Sequence, residues 1–103
     1  MLFDTLIQSD DLTATFLSLN SLLKQGDFEA VDTILVQTAR YLQTNNPPVD
    51  RVLNILMAAA PTKAQAHLPS LPEVVQTIGV WLFQQGFEDA EVKSLLSSYG
   101  WNP

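Results

Sequence analysis

Leu22-Leu23-Lys24-Gln25-Gly26-Asp27-Phe28-Glu29 and Leu82-Phe83-Gln84-Gln85-Gly86-Phe87-Glu88-Asp89 share one pattern, 60 positions apart. Each closes a leucine-rich helical run with Gln-Gly and reopens at once with an aromatic residue and acids. Glycine tolerates the left-handed backbone that ends a helix, and an acid complements the positive end of the next one. Both stretches therefore read as tight corners between helices folded back on each other. No strand-like alternation lies between them. The expected fold class is all-α.

The pattern extends outward from the first corner. Leu2, Phe3, Leu6 and Ile7 fall at helical spacing and predict a short N-terminal helix. Ser9-Asp10-Asp11 then offers a cap and first-turn acids for a helix over roughly 10–25. Its apolar face is Leu12, Phe16, Leu19, Leu22 and Leu23, with Leu17 alongside. Thr13, Thr15, Ser18, Asn20 and Ser21 read as the opposite face. Beyond Gly26, Asp27 can cap a helix to about Leu42, striped by Phe28, Val31, Leu35, Thr38, Ala39 and Leu42.

Thr44-Asn45-Asn46-Pro47-Pro48 breaks this run. Pro47 suits the first turn of a new helix and Asn46 its cap. That helix carries Val49, Val52, Leu53, Leu56, Met57 and Ala60 and stops at Pro61. The connector to Pro69 has room for a helical turn at Thr62-Lys63-Ala64-Gln65-Ala66. Ser70-Leu71-Pro72-Glu73 reads as a capping box. The helix behind it turns Leu71, Val74, Val75, Ile78, Trp81 and Leu82 inward. Gly79 in mid-helix costs about 1 kcal/mol relative to Ala, which predicts close approach of a neighbouring helix. A last helix over roughly 88–98 presents Val92, Leu95 and Leu96, then Tyr99. Gly100 stops it and leaves Trp101-Asn102-Pro103 as a tail. The expected architecture is a compact bundle of four main helices plus a short N-terminal helix, arranged as antiparallel hairpins, in a single domain over 1–103.

Gly26-Asp27-Phe28-Glu29-Ala30 resembles the Gly-Asp-aromatic corner of a tetratricopeptide repeat, over roughly ten residues. Ala30 is followed by Val31, one position from the small residue such a repeat places in its second helix. Thr15 stands where its early aromatic would fall. Helix-pair repeats recur at roughly 33 to 47 residues, so corners 60 apart describe no solenoid. The likeness is one of hairpin physics, and no family follows from it.

The chain has 103 residues, 47% of them hydrophobic, with a net charge of −6. That suits one domain with a real core and is too apolar for a disordered chain. No cysteine is present, so disulfides and thiolate sites are excluded. Met1-Leu2-Phe3-Asp4 lacks the basic start and apolar run of an export signal, and no stretch has the length of a membrane span. A cytoplasmic protein is expected. Six acids stand against Lys24 in residues 1–32, and Glu88, Asp89 and Glu91 against Lys93 after residue 85. Phosphate recognition needs the opposite sign, so nucleic acid and anionic membrane are not expected partners. A basic protein surface is.

Catalytic signals are thin. His67, the single histidine, has no acid within five residues on either side and reads as solvated or capping. Asp10-Asp11 and Glu88-Asp89-x-Glu91 could hold a divalent ion or run hydrolysis, but both open predicted helices, where acids complement the dipole. No enzyme, cofactor or metal is expected. Phe16, Phe28 and Trp81 read as core. Phe3, Phe83 and Trp101 fit the core less well, and each is either docked by tertiary packing or a candidate binding anchor. Leu17, Val36, Tyr41 and Phe83 lie off their stripes and suggest a homodimer or partner face. The expected function is a small acidic interaction module, an adaptor, assembly or regulatory factor. It would bind a protein through an apolar helix face with an acidic rim, using Asp27, Phe83, Glu88, Asp89 and Trp101. The alternative is an acidic inhibitor or nucleic-acid mimic, of the kind phages encode, that blocks a basic site. Clustered charge favours the mimic, though −6 is modest for one.

Overall fold

Where each helix stops is written in its backbone hydrogen bonds. The computed structural model describes residues 2–101 of the chain. Among them are six α-helices and no strand: α1 (Leu2–Gln8), α2 (Leu12–Lys24), α3 (Phe28–Tyr41), α4 (Val49–Ala59), α5 (Leu71–Gln84) and α6 (Ala90–Ser98). A 3-10 turn, Gln65–His67, lies in the connector before α5. All six segments read as helical in the sequence are helices here, one more than the four main helices plus a short one of the expected bundle, whose count leaves out the segment over roughly 88–98. Asn102 and Pro103 of the expected tail lie outside the described residues.

The two corners close alike. At the first, the Gly26 N–H donates to the Leu23 carbonyl at 3.1 Å and the Asp27 N–H to Leu22 at 3.0 Å. At the second, Gly86 donates to Phe83 at 3.0 Å and Phe87 to Leu82 at 3.1 Å. Gly26 and Gly86 sit at φ 74° and 73°, in the left-handed region that this double closure of end carbonyls requires.

The core runs through α4 and α5. Val52, Leu53, Ile55, Leu56, Ala58 and Ala59 of α4 are buried, as are Leu71, Val74, Val75, Ile78, Gly79, Trp81 and Leu82 of α5. α2 packs chiefly on α4 and α3 on α5, while α1 lies across α3 and α4. Phe3 meets the Tyr41 ring edge-on, centroids 5.8 Å apart. α6 rests chiefly on α5 and buries only Leu96 completely.

Four local expectations are corrected. On α2 the buried residues are Thr15 and Leu19, while Leu12 and Phe16 are exposed. The Thr15 hydroxyl donates to the Asp11 carbonyl at 3.3 Å. A threonine satisfied by its own helix packs as a methyl group, and the inner face rotates towards it. Phe16 is therefore surface, not core. On α4, Pro48 stands at the cap with ψ 136°. A residue that precedes proline is driven from helical geometry, so Pro47 cannot enter the first turn. Asn46 bonds elsewhere: its Oδ1 accepts from Trp81 Nε1 at 3.0 Å and Gln85 Nε2 at 2.8 Å.

The third correction is the capping box. Ser70 makes no side-chain cap bond to its own helix. Its N–H and hydroxyl both donate to the Asp32 carboxylate, at 2.9 and 2.8 Å. With its N–H held by Asp32 on α3, Ser70 leaves Glu73 no backbone donor to reach back to, and the reciprocal box does not close. The fourth is Gly79, which faces the indole of Trp101 and not a neighbouring helix.

Candidate interaction groove between α5 and α6

The groove begins with how α6 ends. Trp101 N–H donates to the Leu96 carbonyl at 3.0 Å and Gly100 N–H to Ser97 at 2.9 Å, the closure already seen at both corners. In this motif the residue after the glycine folds its side chain back over the helix. Trp101 therefore does not trail away. Its indole lies on α5 at Gly79, where a Cβ would fall 2.0 Å from Nε1. Only a residue without a side chain leaves room for the ring. Nε1 is buried there without a hydrogen-bond partner.

The docked indole lines a groove of about 470 Å³. Gln76, Gly79, Val80 and Phe83 of α5 form one wall, and Lys93 and Ser97 of α6, with Trp101, the other. Phe83 is 76% exposed and Val80 47%. Complete burial of such a side chain contributes about 1.5–3 kcal/mol, most of which is forgone at Phe83 and about half at Val80. Phe83 and Trp101 also line an adjoining crevice with Phe87, Asp89 and Val92. Phe83, Asp89 and Trp101 thus come together, and Glu88 is exposed one residue before Asp89. Asp27 stands apart, in a separate cavity of about 430 Å³ with Leu2, Phe3, Leu22, Glu29 and Ile34.

Several acids are committed to the fold. Asp11 Oδ1 accepts from Ala14 N–H at 3.1 Å, and Asp27 Oδ1 from Ala30 N–H at 3.2 Å. Asp89 Oδ1 accepts from Glu91 at 2.8 Å and Val92 at 3.1 Å. Asp10 pairs with Arg51, whose other terminal nitrogen donates to the Ile7 carbonyl at 3.3 Å. His67 is exposed and stacks on Phe28, centroids 4.3 Å apart and 17° between planes. No group of three potential metal-binding side chains occurs among the described residues. Burial pushes the Tyr99 phenol above its ordinary range. Among the described residues no helix is long and apolar enough to cross a membrane.

Of the four off-stripe residues, Leu17 and Phe83 are exposed, while Val36 and Tyr41 are half-buried. Leu12, Phe16 and Leu17 leave a second apolar surface on α2. Val80 and Lys93 line the groove beyond the residues that sequence pattern points to. The available signal is that Val80 lies three positions before Phe83, one helical step along the same face. Compared with known protein families, curated proteins and solved structures, the chain has no significant match.

Proposed function

We propose that this chain is a small acidic, non-enzymatic interaction module, an adaptor, assembly or regulatory factor, that binds a protein partner through the α5–α6 groove. The observation that carries the reading is Phe83, a large apolar side chain exposed beside Val80 and a docked Trp101. Aromatic anchors in a partly desolvated pocket dominate protein binding energy. Glu88, Asp89 and Glu91 at the start of α6 supply the acidic rim, and a rim of this kind raises the association rate with a basic surface. Asp27 belongs to the other corner and acts as a helix cap. The reading takes the two corners as antiparallel hairpins and a cytoplasmic setting. It is favoured over a nucleic-acid mimic because a net charge of −6 is modest for one and the groove exposes apolar side chains, which imitate no phosphate.

The test is site-specific. A photo-crosslinking amino acid at position 83 should capture one protein in the native host, and the same group at exposed Thr44 should not. Against that protein, Phe83→Ala should weaken binding about tenfold or more, with the melting temperature unchanged. Equal affinity for Phe83→Ala removes the groove from the reading.

A further inference from the structure

We infer that the groove's occupant is a basic amphipathic helix. This rests on the groove reading above and adds the form and charge of the partner. The form follows from the walls. Along α5 the exposed residues Glu73, Gln76, Val80 and Phe83 step by three, four and three positions. Along the other wall Lys93 and Ser97 of α6 step by four, and Trp101, beyond the end of the helix, completes it. Both are ridges at the helical period, and such ridges guide the side chains of a third helix into the gap between them. A β-strand occupant binds by pairing its backbone with a free sheet edge. Helix walls offer none, because their N–H and C=O groups are bonded within each helix. A helix satisfies its own backbone and needs only a groove for its apolar face.

The charge follows from the exposed ionic groups on this half of the chain. On α5, α6 and the corner between them, Glu73, Glu88, Asp89 and Glu91 lie towards the ends of the groove, and Lys93 is the one base, on the groove wall itself. An occupant with Lys or Arg flanking its apolar face meets an attractive field, and an acidic one is repelled. A second copy of the chain would bring its own net charge of −6, and an anionic membrane would be repelled in the same way.

The experiment uses the full chain with three synthetic peptides of about 18 residues, or five helical turns. The first places Leu at helical spacing with Lys and Arg on both flanks. The second is the same sequence with two central residues replaced by proline, which forbids a helix. The third replaces Lys and Arg with Glu. The basic helix should shift the amide resonances of Gly79, Val80 and Phe83 and the indole resonance of Trp101. It should bind about tenfold tighter than the glutamate peptide. Phe83→Ala should lower its affinity about tenfold. Glu88→Gln with Glu91→Gln should lower it several-fold at low salt and little at high salt.

If the proline peptide shifts the groove and the basic helix does not, the helical occupant is wrong and the groove reading stands. Equal binding of the glutamate peptide overturns the charge assignment. If the same resonances move on concentrating the chain alone, a second copy is the occupant and the inference fails. If no peptide moves them and crosslinking at position 83 captures nothing, the groove reading falls with it.

Discussion

The two Gln-Gly corners are nearly interchangeable as local structure, yet the helices that follow them meet different fates. After Gly26, α3 buries Val31, Ile34, Leu35 and Thr38 and touches α1, α2, α4 and α5. After Gly86, α6 rests chiefly on α5 and buries Leu96 alone. The same hydrogen-bond closure and the same kind of aspartate cap therefore produce a core helix once and a rim helix once. A corner fixes direction through a few residues. What the next helix becomes depends on how many neighbours its apolar residues find. α6 has few, and the surface it fails to cover is the groove with Phe83 in it.

The largest effect that could break this contrast comes from truncating one central leucine in each half. Leu35→Ala should cost about 2–5 kcal/mol and lower the cooperative melting of the whole chain. Leu96→Ala should detach α6 and leave the rest folded. Native-state hydrogen exchange should then speed up over 90–98 while α2 to α5 keep their protection. Uniform loss of protection in Leu96→Ala would mean that α6 is as much a part of the core as α3.

Much of this was legible beforehand. All six helical segments and both corners follow from periodicity, glycine and acid placement. Three of the failures share a cause, which is that local signals are outbid by partners distant in sequence. Ser70 has a local cap partner in Glu73 but is taken by Asp32, 38 residues away. Asn46 looks like a cap and instead holds Trp81 and Gln85. Gly79 and Trp101 explain each other, but only once α6 is known to lie on α5. Thr15 hid the true inner face of α2, because nothing in its spacing shows that its hydroxyl is already satisfied.

The Asp32–Ser70 link sharpens the contrast one step down in size. It ties α3 sideways to the start of α5. Asp32→Ala strands two donors of Ser70 and should cost about 1.5–3 kcal/mol. Ser70→Ala keeps the backbone bond and should cost about 1 kcal/mol. Asp89→Ala should also cost about 1 kcal/mol, but its effect should appear as faster exchange in α6 alone. Thermal unfolding of the three variants, with exchange mapped by residue, checks the order. An Asp32→Ala loss no larger than that of Ser70→Ala would show that the backbone bond contributes little.

Gly79→Ala sets two opposed terms against each other. Alanine in a helix interior is favoured by about 1 kcal/mol. Its Cβ would occupy the place of the Trp101 indole, which must then leave. Because the ring sits at the end of a rim helix, its departure should disturb α6 and little else. The net change in stability should stay within about 1 kcal/mol, while tryptophan emission shifts to the red as the indole meets water. A large loss of stability with no spectral change would mean that α5 yields instead of the tryptophan.

The smallest expected effect is at alkaline pH and again separates the two halves. Tyr99 is half-buried at the end of α6, and desolvation raises its pKa above the ordinary 10.0. Burial disfavours the phenolate, so the folded state holds the proton more tightly than the unfolded one. The neutral phenol's contribution is fully present below pH 10 and is lost as pH rises through the elevated folded value. Above that point α6 should loosen from α5, with Trp101 leaving its seat on Gly79, while the core around α4 persists. Tyrosine absorbance reports the ionisation, and tryptophan emission reports the release. Tyr99→Phe carries no ionisable group and should hold its emission to higher pH than the natural chain. If the two chains lose the Trp101 signal at the same pH, another group controls the rim, and Tyr99 has no part in holding α6 in place.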